Sequence, residues 1–95
     1  EPGSTDLPAS FSLGQNYPNP FNPTTNIPFT LTDPGNITLA VYDLLGRRVA
    51  VVQNGQLPAG SHTAQFDARH LSSGIYLYRI EGAGFTETRK MMLVK

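Results

Sequence analysis

Three closely spaced prolines dominate the stretch Tyr17-Pro18-Asn19-Pro20-Phe21-Asn22-Pro23-Thr24-Thr25. Each fixes its own φ near about −65° and removes a backbone donor. Each also drives the residue before it, here Tyr17, Asn19 and Asn22, toward extended conformations. The stretch is therefore stiff and extended, and it suits neither a helix nor a central strand. Asn19 and Asn22 are expected to bond back to nearby backbone and replace some of the lost ladder bonds. Tyr17 and Phe21 supply apolar area that such a strap presses onto a core. Two compatible roles fit it: a lead-in that seals one end of a β-domain, and an element read by another protein.

The rest of the chain alternates in period two. Residues 1–10 are rich in Pro, Gly, Ser and Thr and read as a linker from an upstream domain, leaving 11–95 as the folded unit. Phe11-Ser12-Leu13 reads as a short first strand. After the strap, Ile27, Phe29 and Leu31 share one face of a strand. Pro28 lies on the other face and places that strand at a sheet edge. Asp33-Pro34-Gly35-Asn36 is predicted to be a type II turn with Gly35 at positive φ. Ile37, Leu39 and Val41 mark a clean inward face. Asp43-Leu44-Leu45-Gly46 is a predicted hairpin turn in which Gly46 takes the left-handed position. A strand over 47–52 follows, then a loop punctuated by Asn54-Gly55 and Pro58-Ala59-Gly60. His62, Ala64 and Phe66 share a face over 61–67. Residues 68–73 read as a longer connection with room for one helical turn, anchored by Leu71. Gly74 opens a strand over 75–81 that is apolar on both faces and therefore central, with Tyr76, Tyr78 and Ile80 on one side. Gly82-Ala83-Gly84 closes a hairpin to a last strand over 85–94.

Six or seven short strands, a turn signal between each and no long helix predict an all-β fold, an antiparallel β-sandwich of immunoglobulin-like type. Tyr76 follows a crossover loop and is a candidate tyrosine corner. With 95 residues the chain makes one small domain. Seven basic and seven acidic residues balance, which gives no bulk attraction to nucleic acid or an anionic membrane. No cysteine is present, so no disulfide framework exists. No apolar run approaches the roughly 20 residues of a membrane span. The chain opens at Glu1 without a signal-peptide pattern and is expected to be an excised piece of a longer protein, any export signal lying upstream of it.

Catalytic constellations are thin. Ser72, His70 and Asp67 can be drawn as a triad. But a nucleophile needs a base in a formed pocket, which residues crowded into one loop rarely provide. Two isolated histidines, His62 and His70, without cysteine cannot supply the converging ligands of a zinc site. Asp33, Asp43 and Asp67 are candidate calcium ligands in loops, yet they do not cluster in sequence and read better as turn residues. No cofactor motif occurs, since Gly82-Ala83-Gly84 opens no helix. The expectation is a protein that binds and does not catalyse. Gly46-Arg47-Arg48 and Arg89-Lys90 are basic pairs that read as solvated strand flanks or as a contact surface. Tyr17, Tyr42, Tyr76 and Tyr78 offer the alternative of a carbohydrate platform, weakened by the absence of Trp and by the inward reading of Tyr76 and Tyr78.

Five motifs together carry a family resemblance. They are Gln15-Asn16-Tyr17-Pro18-Asn19-Pro20-Phe21-Asn22-Pro23, Val41-Tyr42-Asp43-Leu44-Leu45-Gly46-Arg47, Pro58-Ala59-Gly60-Ser61-His62, Leu71-Ser72-Ser73-Gly74-Ile75-Tyr76-Leu77-Tyr78-Arg79 and residues 90–95. In this order the chain resembles the type A C-terminal sorting domain of the type IX (Por) secretion system of Bacteroidetes. It is also similar to the immunoglobulin-like domain of the flagellar hook-capping protein. The resemblance implies a seven-stranded sandwich at the C-terminus of a multidomain exported protein, often a hydrolase. It implies an address read by the outer-membrane type IX machinery, with passage through the periplasm to the cell surface or medium. In that family the cargo is released or attached to surface lipopolysaccharide, and the domain is often cleaved off. Asn19, Asn22, Gly46, Arg47, Lys90 and Lys95 are the expected recognition residues, with the last strand carrying much of the signal. Pro28 departs from the family, which usually has a polar or basic residue there, and leaves that strand's pairing open. The alternatives are a carbohydrate-binding module or a passive spacer within a secreted glycoside hydrolase.

Overall fold

The computed structural model describes residues 11–82 and 84–95. The predicted linker 1–10 and Ala83 of the last hairpin lie outside the described residues. Seven strands follow the alternation: β1 (Phe11–Leu13), β2 (Thr24–Leu31), β3 (Gly35–Tyr42), β4 (Arg48–Leu57), β5 (Gly60–Asp67), β6 (Gly74–Gly82) and β7 (Phe85–Leu93). They form a three-stranded sheet β1-β2-β5 and a four-stranded sheet β4-β3-β6-β7, with every pairing antiparallel. The connections β2–β3, β4–β5 and β5–β6 carry the chain between the sheets, so that β2 pairs with β5 and β3 with β6, and the result is an immunoglobulin-like sandwich. Ile27, Phe29 and Leu31 on one sheet face Ile37, Leu39, Val41, Tyr78 and Ile80 on the other, all buried. The Tyr76 hydroxyl donates to the Ser72 carbonyl at 2.7 Å, four residues upstream, which is the predicted tyrosine corner. Residues 68–73 are turns with no helical element, closed by Leu71 N–H to the Ala68 carbonyl at 2.9 Å.

Pro28 does not mark an edge. β2 lies between β1 and β5 and pairs with β5 along its full length, Pro28 opposite Thr63. The missing donor faces the other neighbour. Gly14 N–H donates to the Pro28 carbonyl at 2.8 Å, but no proline N–H exists to return the bond to the Gly14 carbonyl. The buried Tyr78 hydroxyl fills that vacancy: it donates to the Gly14 carbonyl at 2.7 Å and accepts from Asn16 N–H at 2.9 Å. Burial raises the Tyr78 pKa, and the Asn16 bond partly opposes that rise. A Cβ at Gly14 would stand 2.8 Å from the Pro28 ring, so only glycine passes here. Beyond this point the register slips by one residue, and Tyr17 rather than Asn16 bridges Asn26, a bulge that ends the β1 ladder.

Two predicted turns are corrected. Gly35 is not at positive φ and starts β3 opposite Leu57. The chain changes sheets between β2 and β3, so the tight turn of a hairpin has no use there. Asn54 and Gly55 are not in a loop but lie within β4, where Gly55 pairs with Ile37. Its φ of +134° lets glycine run through a region closed to other residues.

The strap runs along the β7 edge, and all three of its Xaa–Pro bonds are cis. Phe21 is buried in the core, whereas Tyr17 is half exposed and does not press onto it. On the same flank Phe11 stacks on Phe85 at 4.1 Å, and Arg89 Nε donates to the Leu13 carbonyl at 2.6 Å. Glu87 and Arg89 share the inward face of β7 with Met91 and Leu93, and inward charges of this kind blunt an edge strand. We predict that Tyr78→Phe, which orphans the Gly14 carbonyl and the Asn16 N–H, lowers unfolding stability by about 2–4 kcal/mol. Chemical denaturation checks this, and a loss under about 0.5 kcal/mol would mean that the clamp is dispensable.

Candidate recognition surface

Strand direction brings four segments to one end of the sandwich, where β3 and β7 finish and β6 begins. They are the strap, the turn between β3 and β4, the connection between β5 and β6, and the residues after β7. Long-range hydrogen bonds lock three of them together, the strap, the β5–β6 connection and the residues after β7. Phe21 N–H donates to the Met92 carbonyl, and Val94 N–H donates to the Phe21 carbonyl, both at 2.9 Å. Ala68 N–H donates to the Pro23 carbonyl at 2.8 Å. Lys95 donates through its N–H to Ser73 Oγ at 3.0 Å and through Nζ to the Arg69 carbonyl at 2.8 Å. Beneath the strap, buried Asn16 donates to the Pro18 carbonyl at 3.2 Å and to Thr25 Oγ1 at 3.0 Å.

The β3–β4 turn is held by its first residue. Asp43 Oδ1 accepts from Leu45 N–H and Arg47 N–H, both at 2.9 Å, and Oδ2 accepts from Arg47 Nε at 2.8 Å. Gly46 sits at φ +85°, the left-handed position expected of it. Leu44 and Leu45 are 64% and 79% exposed at the tip. Asp67 repeats the device on a smaller scale, accepting from Arg69 N–H at 3.0 Å and Arg69 Nε at 2.8 Å. These bonds hold both carboxylates below their usual pKa. The backbone N–H of Arg47 is the largest cause for Asp43, and the Arg69 side chain for Asp67.

Asn19, Asn22 and Lys95 lie together at this end on the β7 side, and Gly46 and Arg47 lie at the same end on the β3–β4 turn, two strands away from β7. Lys90 stands further back, exposed on β7, beside an open groove of about 480 Å³ lined also by Gln15, Asn19 and Met92. Asn19 does not bond locally: its Oδ1 accepts from Met92 N–H at 3.0 Å and pins the strap to β7. Asn22 is exposed and makes no side-chain hydrogen bond among the described residues. Unforeseen at this end are Leu44 and Leu45, although two large apolar residues inside a predicted turn are a visible signal.

The other constellations do not assemble. Arg69 takes both Asp67 oxygens, and the Ser72 carbonyl serves Tyr76. Among the described residues no three His, Cys, Asp or Glu side chains come together for a metal ion. His62 stacks on Phe29 at 5.2 Å and bonds the Pro58 carbonyl at 2.8 Å. The tyrosines form no platform: Tyr76 and Tyr78 are buried, and the Arg79 guanidinium lies 4.4 Å over the Tyr42 ring.

Two predictions follow from the turn. Gly46→Val forces a β-branched residue into the left-handed region, and we expect a loss of about 1–2 kcal/mol in denaturation. Asp43 has a folded pKa below its unfolded value of 3.8. The turn's contribution is therefore present above that value and is lost as pH falls through the lower, folded one. Carboxylate NMR shifts should place the Asp43 midpoint below 3.8, with Leu45 and Arg47 amide signals moving in step.

Residues 15–95 match the family model described as secretion system C-terminal sorting domain. No curated protein matches the chain. Among solved structures, the crystal structure of dimeric latent PorU from Porphyromonas gingivalis matches with a TM-score of 0.63 and 19% identity. The match covers 94% of this chain but 10% of that one, and it speaks to the fold alone.

Proposed function

The chain belongs to the secretion system C-terminal sorting domain family, and from that premise we propose that it is the non-catalytic address of a larger type IX cargo. In this reading residues 11–95 are the sorting domain and 1–10 the linker to upstream domains. The outer-membrane type IX machinery reads the domain and delivers the parent protein to the cell surface or medium. The surface read is the end built by the strap, the β3–β4 turn and the residues after β7. The observation that carries this is the convergence of sequence-remote motifs. Asn19 and Lys95 come from separate stretches that long-range hydrogen bonds fix at one end, and the turn carrying Gly46 and Arg47, held by its own bonds to Asp43, closes β3 at the same end. Binding through a preformed rigid surface needs no ordering step on contact.

Removing residues 90–95 would not test recognition cleanly, because Met91 and Leu93 are core side chains, each 1% exposed. The test uses the intact chain fused behind a fluorescent reporter that carries an N-terminal export signal. It is expressed in a type IX-competent host and in a translocon-null strain. Surface or medium signal is expected in the competent strain alone, and retention in both would refute the reading. Arg47→Glu with Lys95→Glu should leave the fold intact by circular dichroism. It should lower surface signal by about tenfold, the order that reversed charge at a complementary interface produces.

A further inference from the structure

The balanced net charge hides a polar arrangement. At the end described above stand four cations, Arg47, Arg48, Arg69 and Lys95, against Asp43, Asp67 and, in the 95-residue chain, the α-carboxylate of Lys95. Asp43 pairs with Arg47 and Asp67 with Arg69, so Arg48 and Lys95 are the cations here without a side-chain carboxylate partner among the described residues. The exposed apolar residues follow the same bias. Of the six large hydrophobics well exposed among the described residues, Tyr17, Leu44, Leu45, Met92 and Val94 lie at or beside this end, and only Val51 is placed elsewhere, in mid-β4. Single exposed hydrophobics are ordinary. Their concentration on one pole together with the excess cations is not.

The two chemistries are also layered. Leu44 and Leu45 form the apex of the β3–β4 turn, and the exposed Arg47 and Arg48 stand immediately behind them where β4 begins. The Asp43 carboxylate and the left-handed Gly46 fix the backbone of the apex, and both leucines stand exposed on it. Apolar side chains outermost, with guanidinium groups one step behind, match the sequence of acyl region and phosphate headgroups in a lipid interface.

We propose that this pole docks on an anionic lipid surface, with Leu44 and Leu45 entering the headgroup–acyl boundary and Arg47 and Arg48 meeting the phosphates. The inference goes beyond the sorting role, and its test needs no secretion machinery, so the two fail separately. The 95-residue chain is sedimented with vesicles of phosphatidylcholine alone and of phosphatidylcholine with phosphatidylglycerol. Binding is expected only to the anionic vesicles, and it should weaken as salt shortens the Debye length. Leu44→Ser with Leu45→Ser changes exposed side chains only. It should preserve the melting temperature while weakening binding by about tenfold or more, given the apolar area withdrawn from lipid. Val51→Ser should bind like the parent chain. Absence of binding to anionic vesicles, or equal binding by the double serine variant, overturns the proposal. If the parent chain ignores both vesicle types while the double variant loses reporter display, the leucines fit a protein pocket and the lipid assignment is wrong.

Discussion

One phenol oxygen holds the lead-in of this domain to its core. The Tyr78 hydroxyl donates to the Gly14 carbonyl and accepts from Asn16 N–H, joining a central strand of one sheet to the chain that borders the other. Its position is costly to change because both partners belong to the backbone and neither has another bond in the ladder. Through it the sheet tolerates Pro28 in an interior strand, a place where proline is normally excluded. Through it too the bulge at Gln15 and Asn16 is fixed, and that bulge aims the strap along the β7 edge.

What the residues foretell divides by range. Period-two alternation identified β3, β5 and β6 with their inward faces, because a half-buried strand shows its burial in its own sequence. Tyr76 and Gly46 were legible for a like reason: a corner and a left-handed turn are local constructions. Pro28 misled because proline's rule concerns a missing donor, and whether that donor is replaced depends on Tyr78, fifty residues away. Gly35 misled because a turn signal does not say whether the two strands it joins share a sheet. Asn19 misled because an Asn between prolines has a familiar local partner, yet its bond goes to Met92, 73 residues on. At the recognition surface the motif residues were identifiable one by one, but their meeting at one end follows only from strand direction.

The two flanks of the sandwich are treated differently. On the β1–β7 side the edge is closed by the strap, by the Phe11–Phe85 stack and by inward Glu87 and Arg89. On the β4–β5 side β4 runs ten residues, from Arg48 to Leu57, without proline. Two register shifts against β3 twist it, a device that discourages edge pairing. The effort of closure is thus concentrated on the flank that leads to the recognition end.

The bridge between Phe21 and Leu93 has a temporal meaning. The strap is synthesised early, but the strand it leans on is the last of the seven to be made. Until β7 exists and has paired with β6, Phe21 has no bond partners and Asn19 nothing to hold. The arrangement of the candidate recognition end is therefore absent from chains that have not yet completed β7. Under the proposed reading, a receptor that binds this end inspects completion and folding in the same act.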